Sequence, residues 1–251
     1  MRDAPSLFEV VALNLPEHAR NAIHTDEGAR SAGFPAALVA GVTTYAYLTH
    51  VPLAAWGVDW LMSGGGELDL RSPVFAGDEL RCQPMRGDDG RWVVEALVGD
   101  DATPRATFAL RDAEAVPVVP LRDGEPLKPI RVQLENEWGA DYAARAGDPF
   151  SLCHDEGLTH PAVWPALANH MVHRRVARGS WIHFRSRIRH HATAPVGAIA
   201  DVYANVIERT VRRSGERATL DVAIEVDGRR VASIEHEAIV ALPGAPEPAR
   251  A

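Results

Sequence analysis

The same order of segments occurs twice in this chain, on either side of a proline-rich stretch, and that repetition limits the fold more than any single motif does. In the first half, "GFPAALVAGVTTYAYL" (33–48) is apolar, rich in small residues and long enough for a buried helix. "GGGELDLRSPVFAGDELRCQP" (64–84) comes next with strand alternation, and then "RWVVEALVG" and "RATFALR". In the second half "THPAVWPALANHMVHR" (159–174) takes the helical place. "SWIHFRSRIRHHATAPVGAIADVYANVIER" succeeds it, and "ATLDVAIEVDGRRVASIEHEAIVAL" closes the series. Phe34-Pro35 stands opposite His160-Pro161, and Arg71-Ser72 opposite Arg185-Ser186, at offsets that drift as in a diverged duplication with changed loops. Asp227-Gly228 lies between two alternating runs, a strong hairpin signal. The expectation is an α+β chain of two antiparallel sheets, each wrapped around a central helix near 34–48 or 160–174 and fused in one chain. Strands and helices do not alternate regularly and no glycine-rich phosphate loop is present, which argues against a parallel doubly wound sheet. "SGGGE" (63–67) reads as a turn by composition.

The stretch between the halves, "AEAVPVVPLRDGEPLKPIR" (113–131), carries Pro117, Pro120, Pro126 and Pro129, a density that favours extended backbone over helix or central strand. It reads as a linker between an N-terminal unit at 1–112 and a C-terminal unit at 132–242. The residues after these, 243–251, read as a flexible tail.

Composition narrows the function classes. A formal charge of -8 argues against nucleic-acid binding, which needs a basic surface. No apolar run approaches the roughly 20 residues of a membrane span, and the first residues lack a signal-peptide pattern, so a cytoplasmic location is expected. The two cysteines, Cys82 and Cys153, are far apart and in no metal-type spacing, and are expected to be plain thiols. The pairs His170/His173 and His190/His191 have no accompanying ligand pattern, so neither a metal nor another cofactor is expected.

One stretch concentrates chemistry. "NAIHTDEGARSAGFP" (21–35) places Asn21, His24 and Asp26 within six residues, ahead of Gly33, Phe34 and the apolar run that contains Gly41. Together with that apolar run, this stretch resembles the hydratase segment of the MaoC-like acyl dehydratases and (R)-specific enoyl-CoA hydratases. Asn21, Ile23, His24, Asp26, Gly33, Phe34 and Gly41 fit that segment, and "SPVFAGDEL" (72–80) is similar to the family's strand motif. The resemblance covers nearly the whole chain in the family's fused double-hotdog form. It implies a protein that acts on a 2-enoyl or 3-hydroxyacyl thioester, of coenzyme A or of an acyl carrier protein. His24 would then be the acid/base, Asn21 would orient it or the substrate, and Phe34 and Gly41 would line the substrate site, Gly41 at the thioester oxygen. The same resemblance implies a pseudo-dimeric monomer, with further pairing into a homodimer left open.

The pattern departs at the catalytic acid. The family's aspartate lies five residues before the histidine, a position held here by Ala19, and Ala22 replaces the usual proline. In the second half "AGDPFSLCHDEG" shows the opposite defect, with Asp148 at the acid position and Cys153 where the histidine belongs. Glu17, Asp26 and Glu27 are the local substitute acids on which a hydratase could draw. Two other readings stand beside it: a thioester-binding or partner subunit that has lost the acid, and a hotdog thioesterase, which needs a carboxylate aimed at the thioester carbon. Residues 157–200 contain no Asp or Glu but several arginines, among them Arg174 and Arg175, suited to the phosphates of coenzyme A or of a phosphopantetheine arm or else paired with acids elsewhere. His160, Asn169, His183 and His236 are candidates for a second pocket.

Overall fold

The glycine run expected to be a turn is where the two halves join. In the computed structural model, which describes residues 4–111 and 113–243, Gly65–Leu70 forms a strand that pairs antiparallel with Ile182–His190, with Gly66 opposite Ile188 and Glu67 opposite Arg187. A Cβ on Gly65 would lie 2.1 Å from the Ile188 carbonyl oxygen, and one on Gly66 would lie 2.4 Å from the Phe108 ring. The absence of a side chain at Gly65 lets the seam close, and its absence at Gly66 makes room for Phe108 of the same half.

The elements repeat as expected. The first half runs β1 (Phe8–Val11), α1 (Asp26–Ser31), α2 (Gly41–Ser63), β2 (Gly65–Leu70), β3 (Glu79–Arg86), β4 (Trp92–Val98) and β5 (Ala106–Leu110). After it come β6 (Glu125–Pro126), β7 (Ile130–Gln133), α3 (Tyr142–Arg145), α4 (Leu152–Asp155), α5 (Val163–Arg175), β8 (Ile182–His190), β9 (Ile199–Arg212), β10 (Gly215–Val226) and β11 (Arg229–Ala241). Two isolated bridges, Leu38 to Phe75 and Leu158 to Pro195, span equal lengths of chain at matching places in the two halves. Asp227 and Gly228, both at positive φ, make the two-residue turn between β10 and β11.

The strands do not form two separate sheets. They make one continuous antiparallel sheet in the order β1-β3-β4-β5-β2-β8-β11-β10-β9-β6, with β7 also on β9. The expectation of two sheets is corrected here, because β2 and β8 present free backbone edges to each other and close that gap by hydrogen bonding. Part of the proline-rich stretch is also ordered onto this sheet, with Glu125 opposite Val206 and Pro126 opposite Asn205 at its edge, where a proline costs no ladder bond.

α5 packs on strands of its own half, β8, β9 and β11, whereas α2 packs on β1 to β5 and also across the seam on β8. α2 begins at Gly41, later than expected, because Gly33 (φ 87) and Pro35 keep the intervening chain out of the helical region and Leu38 bridges Phe75 instead. It then runs on to Ser63, with Pro52 inside it and a break at Gly57 (φ 56, ψ -144). From Val42 to Leu53 nearly every residue is buried, which explains its apolar character all round. α5 carries His173, Arg174 and Arg175 in its last turn, where cations complement the helix dipole. Among the described residues no helix is long and apolar enough to cross a membrane.

Candidate active site

The segment with the most chemistry wraps over the start of α2 and reaches the second half. Two short 3-10 turns, Pro16–Arg20 and Ala22–His24, hand the chain into α1, whose cap is the Thr25 hydroxyl, an acceptor for Gly28 N–H at 3.2 Å. Asn21 is buried, and its side chain fastens this segment to the other half. Its amide donates to the Trp181 carbonyl at 2.8 Å, and its oxygen accepts from the Trp181 N–H at 3.4 Å. Asn21 therefore does not orient His24 through its side chain, and it borders the smaller of the two cavities beside His24.

His24 is held by the backbone. Its Nδ1 lies 2.8 Å from the Leu38 carbonyl, which can only accept, so Nδ1 carries the proton and Nε2 keeps its lone pair. Burial pushes its pKa below the usual histidine value, with the Leu38 carbonyl acting against that shift, so the ring is a neutral base. His24 borders two adjoining cavities whose walls also share Asn169 and Trp181. The larger is about 300 Å³ and mostly apolar, lined by Phe34, Leu38, Gly41, Leu70 and Ile182 among others. The smaller, about 40 Å³, is lined by His18, Tyr142 and Trp138 among others. The start of α2 faces the larger cavity. Ala40 supplies no side-chain cap, and the Gly41 and Val42 amides precede the first intrahelical bonds, those of Thr43 and Thr44 N–H to the Ala40 carbonyl at 2.8 and 3.1 Å.

The expected substitute acids are engaged elsewhere. Asp26 is exposed and turns away, accepting from Ala37 N–H at 2.9 Å and pairing with Arg30 at 3.3 Å. Glu17 borders the small cavity, yet it is ion-paired with Arg145. Glu137, on the same wall, is paired with Arg20 at 2.6 Å. Asp148 bonds His50 instead of reaching His24.

The second-half candidates divide. Asn169 joins His24 on the wall of both cavities, with its side-chain oxygen buried and, among the described residues, without a hydrogen-bond partner. His183 lines the larger cavity beside Gly41; its Nε2 lies 2.8 Å from Ser186 Oγ, which lies 2.9 Å from Nδ1 of His236. Burial lowers the His183 pKa to about 3. His160 sits at the foot of α5, where its Nδ1 accepts from Ala162 N–H at 3.2 Å, and its ring faces Tyr142; it borders neither of these cavities. Arg174 and Arg175 are exposed at the end of α5 and also border neither, while Arg71 and Arg217 line the larger one. Other arginines of this region are paired with acids. Arg185 meets Glu237 at 2.8 Å within its own half, and Arg187 bridges Glu235 at 3.0 Å and, across the seam, Glu67 at 3.5 Å. Among the described residues no group of three or more His, Cys, Asp or Glu is placed to hold a metal ion.

Sequence reading passed over His18, Thr43 and Tyr142. His18 Nε2 lies 3.0 Å from the Tyr142 hydroxyl and 3.3 Å from that of Thr43, and the two hydroxyls are 3.0 Å apart. Burial, aided by His24, Arg20 and Arg145, lowers the His18 pKa to about 3. The signal available was a second histidine one residue before Ala19.

No family model and no curated protein matches the chain by sequence. Solved structures match it by shape over nearly its full length. A MaoC domain protein dehydratase from Chloroflexus aurantiacus is similar at 12% identity, with 94% of this chain and 95% of that one covered and a TM-score of 0.62. A Mycobacterium tuberculosis protein described as having a double hotdog fold is similar at 14% identity, 94% and 96% coverage and a TM-score of 0.62. An oleoyl thioesterase from Lactobacillus plantarum is similar at 10% identity, 97% and 98% coverage and a TM-score of 0.51. The chain has the double-hotdog fold.

Proposed function

We propose that the chain binds an acyl thioester in the cavities between its halves and acts on it as a hydratase or dehydratase, with His24 as the acid/base. The observation that carries this reading is the tautomer of His24: Nδ1–H is committed to the Leu38 carbonyl, and the basic Nε2 is left for a ligand. The larger cavity suits an acyl chain, and the first amides of α2 at Gly41 and Val42 would polarise the thioester oxygen. In the dehydration direction His24 Nε2 removes a proton from C2, the helix amides hold the enolate oxygen, and the C3 hydroxyl takes that proton from His24 and leaves as water as the C2–C3 double bond forms.

One observation favours a second reading, that of a thioester-binding subunit without turnover. The carboxylates bordering the small cavity, Glu17 and Glu137, are both held by arginines. Hydration of crotonyl-coenzyme A, measured together with its binding, separates the two. Wild-type protein is expected to turn it over, and His24→Ala is expected to lose at least about a hundredfold in kcat while keeping its fold. Binding by the wild type with no turnover would favour the binding subunit.

A further inference from the structure

The hydroxyls of Tyr142 and Thr43 fix the proton of His18. Both are buried, and among the described residues their oxygens meet only each other and His18 Nε2. If Nε2 is a lone pair, Thr43 donates to Tyr142, Tyr142 donates to Nε2, and both hydroxyl protons have acceptors. If Nε2 carries a proton, three donors share two oxygens around this triangle and one buried donor is left without an acceptor, at a cost of about 1–3 kcal/mol. The first arrangement prevails, so the proton of the neutral ring sits on Nδ1, which has no protein partner among the described residues.

The small cavity is thus lined by two neutral imidazoles of opposite character. His24 presents a lone pair at Nε2 and His18 presents an N–H at Nδ1, on rings whose centroids are 5.8 Å apart. A group that both donates and accepts, a hydroxyl or a water, satisfies the two at once. A carboxylate would leave the lone pair of His24 unmatched, and an ammonium would leave the N–H of His18 unmatched. A cavity of about 40 Å³ has room for one such group beside the larger acyl cavity.

We infer that His18 is a hydrogen-bond donor to the C3 oxygen of a 3-hydroxyacyl thioester, or to the water that adds to the corresponding enoyl thioester, in place of the carboxylate missing at Ala19. The inference rests on the reading of the cavities as a thioester site. It also lets a single base complete the reaction: His24 Nε2 takes the C2 proton and delivers it to the departing C3 oxygen, the C3–O bond breaks, the C2–C3 double bond forms, and water leaves. His18 keeps its own proton throughout, which suits a ring that titrates far below neutrality.

The test compares the affinities of 3-hydroxybutyryl-coenzyme A and butyryl-coenzyme A, which differ only in that hydroxyl, so it does not depend on turnover. Wild-type protein is expected to bind the hydroxylated thioester about tenfold more tightly, as one added hydrogen bond gives. His18→Ala should abolish that preference and leave butyryl-coenzyme A binding nearly unchanged. Tyr142→Phe, which keeps the ring and removes the hydroxyl that fixes its proton, should reduce the preference, and ¹⁵N shifts of the His18 ring should report a protonated Nδ1 in the wild type and a mixture in Tyr142→Phe. A preference that survives in both variants, or a ring protonated at Nε2 in the wild type, would overturn the inference and leave the thioester reading intact. Failure of the wild type to bind either thioester would overturn both.

Discussion

Asp148 of the second half, which is buried, and His50 of α2, which is partly buried, form a histidine–carboxylate pair, with the two carboxylate oxygens 3.0 and 2.9 Å from His50 Nδ1. The His50 ring is stacked on Phe8 at 3.7 Å and tilted against Phe150 at 5.1 Å, so aromatic packing covers the pair. Asp148 also accepts from Phe150 N–H at 2.9 Å. Its work is to tie the loop before α4 to the helix of the other half. Asp148→Ala is therefore expected to destabilise the chain by about 2–4 kcal/mol in urea unfolding, because it strands a partly buried ring nitrogen and a backbone amide. A change below about 0.5 kcal/mol would mean that the contact is not structural.

The overall plan could be read from the sequence because it depends on local patterns: alternation for the strands, an unbroken apolar run for α2, and Asp227-Gly228 for a hairpin. The joining of the halves could not, since a glycine run looks like a turn unless the backbone that approaches it is known. At the site, His24 and Asn169 were recognisable by residue type and position. The hydrogen-bond partners of Asn21 and Asp26 were not, because they lie far away or across a loop, Trp181 in one case and Ala37 in the other. Tyr142 was invisible for the same reason: it meets His18 across 124 residues of chain.

Buried neutral histidines should make the fold sensitive to acid. Burial lowers the pKa of His18 and His183 to about 3 and that of His160 and His190 to about 4, from an ordinary 6.5. Above pH 6.5 neither folded nor unfolded chain protonates them and they have no effect. Below it the unfolded chain takes up protons that the folded chain does not, so stability falls as the pH drops from about 6.5 toward 4, by up to about 1.4 kcal/mol per pH unit for each such ring. Denaturant titrations at pH 7.5, 6 and 5 should show this loss. Equal stability at pH 7.5 and 5 would contradict the burial of these rings as neutral groups.

Gly41→Ala tests where the thioester lies. The added methyl would come within 2.3 Å of Leu70 Cδ1 and 3.2 Å of His183 Nδ1. The end of a leucine side chain can rotate, and alanine favours a helix over glycine, so stability should change by less than about 1 kcal/mol. The displaced Leu70 and the methyl itself would instead occupy the larger cavity at the start of α2. Affinity for crotonyl-coenzyme A should fall about tenfold or more. Unchanged affinity, measured by calorimetry, would move the thioester away from this helix terminus.

If the thioester is one of coenzyme A, its phosphates need a cationic partner at the mouth of the site. Arg174 and Arg175 suit phosphate by chemistry but stand at the end of α5, outside the lining of both cavities, and Arg175 already donates to the Lys128 carbonyl at 3.2 Å. Arg71 is exposed on the wall of the larger cavity, beside Ser72, and among the described residues its side chain has no ion-pair partner. A thioester seated at Gly41 would therefore lead its pantetheine arm toward Arg71. Arg71→Glu is expected to weaken binding of butyryl-coenzyme A by about tenfold at low salt, with the difference shrinking as ionic strength rises. The same variant should bind butyryl-N-acetylcysteamine, which has no phosphate, as the wild type does. Charge reversal at Arg174 and Arg175 together should have the smaller effect on the coenzyme A thioester. The opposite order, with Arg174 and Arg175 dominant, would place the mouth of the site at the end of α5.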